Sequence, residues 1–358
     1  MSPQTSQPVD TAPLSVVVIG ASGDLAMRKI YPALFALFCQ KLVPEAFHVV
    51  GFARSDLSNE DFRERVAQNL TCRYTPEQDC EQKMREFLAR CSYVSGNYDQ
   101  AASYQQLNDA LAEVGQGGAD NRMFYLSIPP FLFETVAQTL AQAGQIDRGH
   151  DGWTRVVIEK PFGHDRGSSD ALTASLRQVF SEEQTYRIDH YLGKEVIQNL
   201  MILRFANLIF DPIWNSRYVE SVRITWSETL GLEGRAGYFN EYGIIRDVMQ
   251  NHLLQILALV AMEAPVGRQA NHIRNEKVKV LQAIAPVSLD NLVVGQYTAK
   301  ADGKRKGYLE EDGVPVDSIT PTFAAAALQV RNRRWDGVPF LVRAGKASHV
   351  TRTVKSLL

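Results

Sequence analysis

Leu14-Ser15-Val16-Val17-Val18-Ile19, running into Gly20-Ala21-Ser22-Gly23-Asp24-Leu25-Ala26, is the stretch that decides the fold. A short β-branched run closed by glycine reads as a buried parallel strand. The continuation reads as a helix: from Arg28 to Leu42, Ile30, Leu34, Leu37 and Phe38 recur at helical spacing, and Pro32 is tolerated only in a first turn. Glycines between a strand and a helix let the backbone approach a pyrophosphate, whose charge the helix N-terminus favours. The pattern is G-x-x-G-x-x-A rather than G-x-G-x-x-G. Its position therefore carries the assignment of Gly20, Ala21, Ser22, Gly23, Asp24 and Leu25 to a dinucleotide loop, against a plain Gly-rich turn.

Working outward, Phe47–Phe52, Met123–Ile128 and Arg155–Glu159 read as further strands, with helical stretches between them. Strands alternating with helices imply βαβ units and a Rossmann-like, doubly wound parallel sheet over residues 14–185. Gly115–Gly118 reads as a surface loop, and residues 1–13, polar with neither a basic start nor an apolar core, as a disordered leader. Past residue 190, Ser221–Glu228, Leu292–Thr298, Ala325–Arg331 and Val338–Arg343 alternate sides, and only one strong helix, Ile244–Met262, falls among them. That grammar predicts a second, mainly antiparallel sheet domain with helices over 186–358.

Composition narrows the function classes. A chain of 358 residues that is 45% hydrophobic buries a large core, and a net charge of −2 lacks the basic excess of a nucleic-acid binder. The longest apolar segment, Leu253–Met262, is too short to span a bilayer, so no membrane partner is expected. Cys39, Cys72, Cys80 and Cys91 form no C-x-x-C pair and read as reduced thiols of a cytoplasmic protein. With neither a Cys cluster nor H-x-x-x-H, no metal is expected.

Three further stretches carry candidate chemistry. The second strand ends in Gly51-Phe52-Ala53-Arg54-Ser55 without an acid for a ribose 2′-hydroxyl, and Arg54 suits a 2′-phosphate, which favours NADP over NAD. Lys160 in Glu159-Lys160-Pro161-Phe162-Gly163 sits at the carboxyl end of a strand, where ligands bind in open α/β sheets. Arg187-Ile188-Asp189-His190-Tyr191-Leu192-Gly193-Lys194 packs an acid, an imidazole, a phenol and two cations into eight residues. If helical from Tyr191, it sets His190, Tyr191 and Lys194 on one face at a positive dipole end, suited to phosphate. His252, in an apolar helix with Asp247, reads more readily as a hydrogen-bonded core residue than as a base.

G-A-S-G-D-L-A, E-K-P-F-G, R-I-D-H-Y-L-G-K, R-D-V-M-Q-N-H-L-L-Q and W-D-G-V-P-F, in this order, resemble the glucose-6-phosphate dehydrogenase family over roughly residues 14–347. The resemblance implies that His252 is the general base on the C1 hydroxyl of glucose 6-phosphate and that Asp189 orients it. It places His190, Tyr191 and Lys194 on the phosphate and Lys160, Glu228 and Asp247 on the sugar hydroxyls, and makes Lys346 a substrate-contacting lysine. Tyr125 and Lys160 fall at cofactor-contacting positions. An imidazole suits such a base because it titrates near neutral pH. The family also implies a homo-oligomer for its full-length members. After Ala347 the match ends, with Thr351 where the family places an arginine. This predicts a C-terminally truncated member, whose alternative role is that of a catalytically impaired NADP-binding fragment. It also predicts that Val338–Arg343 lacks its neighbouring strands.

Overall fold

The computed structural model describes residues 12–73, 77–114, 121–146, 152–232, 234–300, 305–348 and 352–357. Residues 1–11 of the leader expected over 1–13, and the Gly115–Gly118 loop, lie outside them. The chain forms two compact units that divide between Ile188 and Asp189.

The first unit runs β1 (Leu14–Ile19), α1 (Tyr31–Cys39), β2 (Phe47–Ala53), α2 (Asn59–Ala67), α3 (Glu77–Leu88) and β3 (Cys91–Ser95). It continues through α4 (Ala101–Val114), β4 (Asn121–Leu126), α5 (Phe133–Gln142), β5 (Thr154–Ile158), α6 (Arg166–Arg177) and β6 (Thr185–Arg187). The sheet is wholly parallel in the order β3-β2-β1-β4-β5-β6. β1 alternates its side chains between two cores, Val17 and Ile19 into one and Val16 and Val18 into the other. Burial on both faces is why the strand reads as a continuous apolar run. The strand order reverses between β1 and β4, so the crevice at their carboxyl ends is the topological switch point. Pro32 stands in the first turn of α1, which continues a short π-helical turn, Ala26–Ile30.

Gly20 closes β1 with φ +90, and a Cβ there would lie 2.2 Å from the Ser127 carbonyl oxygen beyond β4. Only glycine fits both constraints. Gly20→Ala is expected to cost at least about 1–3 kcal/mol from the backbone conformation alone, read as a lowered Tm.

Cys72 and Cys80 are joined by a disulfide, which corrects the expectation of four reduced thiols; Cys39 and Cys91 are free. Cys80, in α3, has its Cα 5.7 Å from that of Cys72, a proximity that the bare spacing does not reveal.

The second unit contains α7 (Glu195–Phe205), β7 (Val222–Ser227), α8 (Ala236–Ile244), a π-helical segment (Ile245–Leu253), α9 (Leu254–Ala261) and α10 (Ala270–Ala283). β8 (Leu292–Gly295), β9 (Phe323–Gln329), β10 (Pro339–Gly345) and β11 (Arg352–Leu357) complete it. The sheet order is β11-β7-β10-β9-β8, antiparallel throughout except for β10 beside β7. Val222, Ile224 and Trp226 from β7 and Phe340, Val342 and Ala344 from β10 share one core with Leu253, Ile256 and Leu257. α7 turns Leu200 into that core and leaves Val196 and Ile202 exposed. With Trp214, Val222, Ile224 and Val260 they line an apolar groove of about 470 Å³.

Two expectations are corrected here. Val338–Arg343 does not want for neighbours: β10 is interior, paired with β7 on one side and β9 on the other, and the sheet edges are β8 and β11. The β9–β10 hairpin, turning at Gly337 with φ +82, supplies one partner and β7 the other. The helix read over Ile244–Met262 is not uniform, because Gly243 breaks it from α8 with φ 64 and ψ 172, and a π-helical stretch precedes α9.

Candidate active site

The second unit opens on a tight run of turns. Leu192 N–H donates to the Asp189 carbonyl at 3.0 Å, Gly193 to His190 at 3.3 Å and Lys194 to Tyr191 at 3.2 Å. α7 proper begins only at Glu195, with Lys194 as its N-cap. His190, Tyr191 and Lys194 therefore do not share a helical face; the turns bring them together instead. Asp189 Oδ1 accepts from Tyr191 N–H at 3.0 Å and holds His252 Nδ1 at 2.6 Å. One carboxylate oxygen thus fixes both the turn and an imidazole 63 residues away.

His252 is 2% exposed. It sits in the π-helical segment, where Asn251 accepts from the His252 N–H through its side chain and donates to the Arg246 carbonyl. Such π-helical insertions recur at functional sites because they re-aim one side chain without ending the helix. The Tyr191 ring stacks on His252 with centroids 4.1 Å apart and planes at 15°, and the Lys194 ammonium lies 3.6 Å above the same ring centroid. His190 packs edge-on to both rings, 4.8 Å from each centroid. Trp226 Nε1 donates to the Tyr191 hydroxyl. That hydroxyl still has its own proton to donate.

The electrostatics suit a base held by an acid. Burial alone would raise the Asp189 carboxyl, but the hydrogen bond and charge of His252 and the Tyr191 N–H outweigh it and hold the group below the usual carboxylate range. With Asp189 ionised, a neutral His252 carries its proton on Nδ1 and presents the Nε2 lone pair. Burial, ahead of the charges of Glu228, Asp189 and Asp247, pushes the Tyr191 phenol up to about 12.

Glu228 and Lys346 follow β7 and β10, whose parallel register pairs Ser227 with Gly345, so both residues leave the sheet side by side. They form an ion pair, with Lys346 only 7% exposed and lying over Phe239. Asp247, in the π-helical segment, accepts a long bond from the Tyr238 hydroxyl at 3.4 Å.

The first unit carries the other candidates. Gly23 N–H donates to Gly20 O at 2.9 Å and Met27 N–H to Gly23 O at 3.0 Å, which folds Gly20–Leu25 over the end of β1. Ser22 hydrogen-bonds Ser55 at 2.8 Å, joining this loop to the end of β2. Asp24 and Leu25 are exposed, and Asp24 pairs with Arg28. Arg54, beside Ser55, is exposed and lies over the Tyr98 ring, 5.5 Å from its centroid. Gly20 lets the backbone of Ser127 close against the end of β1, and the Gly20–Leu25 loop stands at the switch point, the place where a pyrophosphate binds in folds of this kind. Tyr125 on β4 donates to Glu159 at 2.6 Å, and burial followed by the Glu159 hydrogen bond raises the phenol. Lys160 follows Glu159 at the end of β5.

Several partners escaped the sequence reading. Trp226, which holds Tyr191, reads only as an inward residue of an alternating strand. Glu159, which holds Tyr125, stands next to Lys160 and could have been suspected as an acid at a strand end. No helix among the described residues is long and apolar enough to cross a membrane.

The profile of "Glucose-6-phosphate dehydrogenase, NAD binding domain" matches residues 17–199, and that of the C-terminal domain of the same family matches 201–354, past Ala347. A chloroplastic glucose-6-phosphate 1-dehydrogenase of Spinacia oleracea is 52% identical over 341 residues, 95% of this chain and 59% of that protein. One from Dictyostelium discoideum is 46% identical over 98% of this chain and 69% of its own length. A solved glucose-6-phosphate dehydrogenase in complex with glucose 6-phosphate superposes with a TM-score of 0.90 at 41% identity, covering 96% of this chain and 71% of the other. The chain spans a little under three fifths of the length of its Spinacia and Nicotiana relatives, 59% and 56%.

Proposed function

This chain belongs to the glucose-6-phosphate dehydrogenase family, and from that premise we propose that it oxidises D-glucose 6-phosphate at C1 to 6-phosphogluconolactone with reduction of NADP, the first step of the oxidative pentose phosphate pathway. The observation that carries the proposal is the Asp189–His252 pair, 2.6 Å apart on the Nδ1 side, which leaves Nε2 to accept a proton. NADP, when bound, supplies the acceptor for the C1 hydride. His252 removes the C1 hydroxyl proton, and Asp189 fixes the tautomer and stabilises the imidazolium that forms. Lys194 and His190, with the remaining hydroxyl proton of Tyr191, bind the phosphate. Glu228, Lys346, Asp247 and Lys160 orient the sugar hydroxyls. In the dinucleotide site, Gly20–Leu25 receive the pyrophosphate, Arg54 pairs with the 2′-phosphate, and Tyr125 and Lys160 contact the cofactor. A cytoplasmic location is supported by the Arabidopsis thaliana relative named cytoplasmic, 46% identical, although chloroplastic relatives are as similar or more so.

Two substitutions separate the binding roles. Lys194→Ala is expected to raise KM for glucose 6-phosphate roughly ten- to hundredfold through the loss of about 1.5–3 kcal/mol of charge-assisted bonding; steady-state kinetics with varied sugar phosphate reads it. Arg54→Asp is expected to turn the preference from NADP toward NAD, because an acid bonds a 2′-hydroxyl and repels a 2′-phosphate. The ratio of the two cofactor affinities checks it, and an unchanged ratio assigns 2′-phosphate recognition to another residue.

The test of the whole reading is an assay of the purified chain for NADPH formation. Turnover with glucose 6-phosphate and little with glucose is the expected result. NADP binding without turnover on any sugar phosphate would support the impaired-fragment reading instead.

A further inference from the structure

Resting on the dehydrogenase reading above, we propose that Asp189, His190 and His252 also form an inhibitory site for a transition-metal dication, zinc being the ion that fits. One donor atom from each residue lies within 4.8 Å of the other two. Zinc binds imidazole nitrogen and carboxylate oxygen at about 2.0–2.2 Å, which in a tetrahedron separates the donors by roughly 3.3–3.5 Å. At its widest the set needs to contract by little more than an ångström, while the Asp189–His252 pair, at 2.6 Å, opens to about 3.3 Å.

Two of the three donors are already placed. His252 is buried and held to Asp189 at 2.6 Å, while His190 is exposed and can supply the movement. Asp189 also has coordinating capacity to spare: both of its hydrogen bonds use Oδ1, and Oδ2 is buried with no hydrogen-bond partner.

Two imidazoles and one carboxylate leave a fourth position open to water. This is the donor set of an exchangeable zinc site rather than a closed structural one. Nitrogen ligands also set the selectivity: zinc and cobalt fit, whereas magnesium and calcium prefer all-oxygen shells. The consequence for the reaction follows from the base. Asp189 lies on the Nδ1 side of His252, so an ion shared by the two binds Nδ1 in place of its proton and leaves the proton on Nε2. His252 then cannot act as the base, so the ion and productively bound glucose 6-phosphate exclude each other. Local motif searches miss the set because 61 residues separate His190 from His252 in the chain.

Cobalt is the probe, since its d–d absorption reports nitrogen-rich, low-coordinate binding without requiring turnover. Titrating the purified chain with cobalt should give a visible band that saturates at one equivalent. The band should be lost in His252→Asn and weakened more than about tenfold in His190→Gln. His190 is exposed, so the second variant stands on its own if the first fails to fold. Glucose 6-phosphate should displace the ion, and zinc should raise the apparent KM for the sugar phosphate while magnesium does not. No band at one equivalent, or a band that survives both substitutions, would overturn the metal site and leave the dehydrogenase reading intact. A band of the expected origin in a chain without turnover would uphold the site and count against the dehydrogenase reading alone.

Discussion

His252→Asn is expected to reduce kcat between about a hundred- and ten-thousandfold, the usual contribution of a positioned base, with the Kd for NADP unchanged. The substitution is chosen to spare the fold. His252 is buried against Tyr191, and an asparagine amide can still donate to Asp189 Oδ1 in place of the Nδ1–H. What disappears is the Nε2 lone pair. The dinucleotide loop belongs to the first unit, around Gly20, so the account requires cofactor affinity to survive. Rapid-mixing kinetics and a fluorescence titration with NADP separate the two quantities. Equal loss of both would make His252 a structural histidine.

Asp189→Asn is expected to lower kcat by about a hundredfold or more, with a smaller change in KM for glucose 6-phosphate. An amide can face His252 in two ways. With Nδ2 toward Nδ1 it forces the proton onto Nε2 and removes the base. With its oxygen toward Nδ1 it keeps the tautomer and the Tyr191 N–H bond but no longer stabilises the imidazolium. Both orientations lose the charge. The same carboxylate also sets a pH dependence of stability. Because the folded group is held below its unfolded value of about 3.9, it binds fewer protons folded than unfolded in the acid range. Its contribution is therefore fully present above the unfolded value and is lost as pH falls through the folded one. The stability gap between the native chain and Asp189→Asn should be flat above about pH 5 and narrow below about pH 4. Chemical denaturation at several pH values reads that gap, and a gap that widens in acid would contradict the assignment.

The first sheet was legible because β1, β2, β4 and β5 each carry a mostly buried apolar stretch, the clearest being Val16–Ile19 in β1 and Val156–Ile158 in β5. β6 was not, being three residues long with only Thr185 buried. α10 was missed because its exposed residues outnumber Glu276 and Val280, the two it buries. In the second sheet, alternation told which side of β7 and β10 faces the core, but not that these strands lie side by side and parallel. Periodicity fixes faces and is silent on neighbours. The candidate site divides the same way. The density of Asp189–Lys194 drew attention from sequence alone, whereas the Asp189–His252 bond, the stacking on Tyr191 and the grip of Trp226 join residues far apart in the chain. Local spacing had assigned His252 no role, and only the family resemblance did so.

If Asp189 and His252 together take a proton from glucose 6-phosphate in this chain, a single turnover reveals it. A single-turnover experiment, with the chain in excess over glucose 6-phosphate and NADP saturating, tests it most directly. The native chain is expected to form one NADPH per sugar phosphate, and His252→Asn with NADP bound none on the same timescale. A native chain that binds both ligands yet forms no NADPH, or a His252→Asn variant that forms it at the native rate, would contradict the claim.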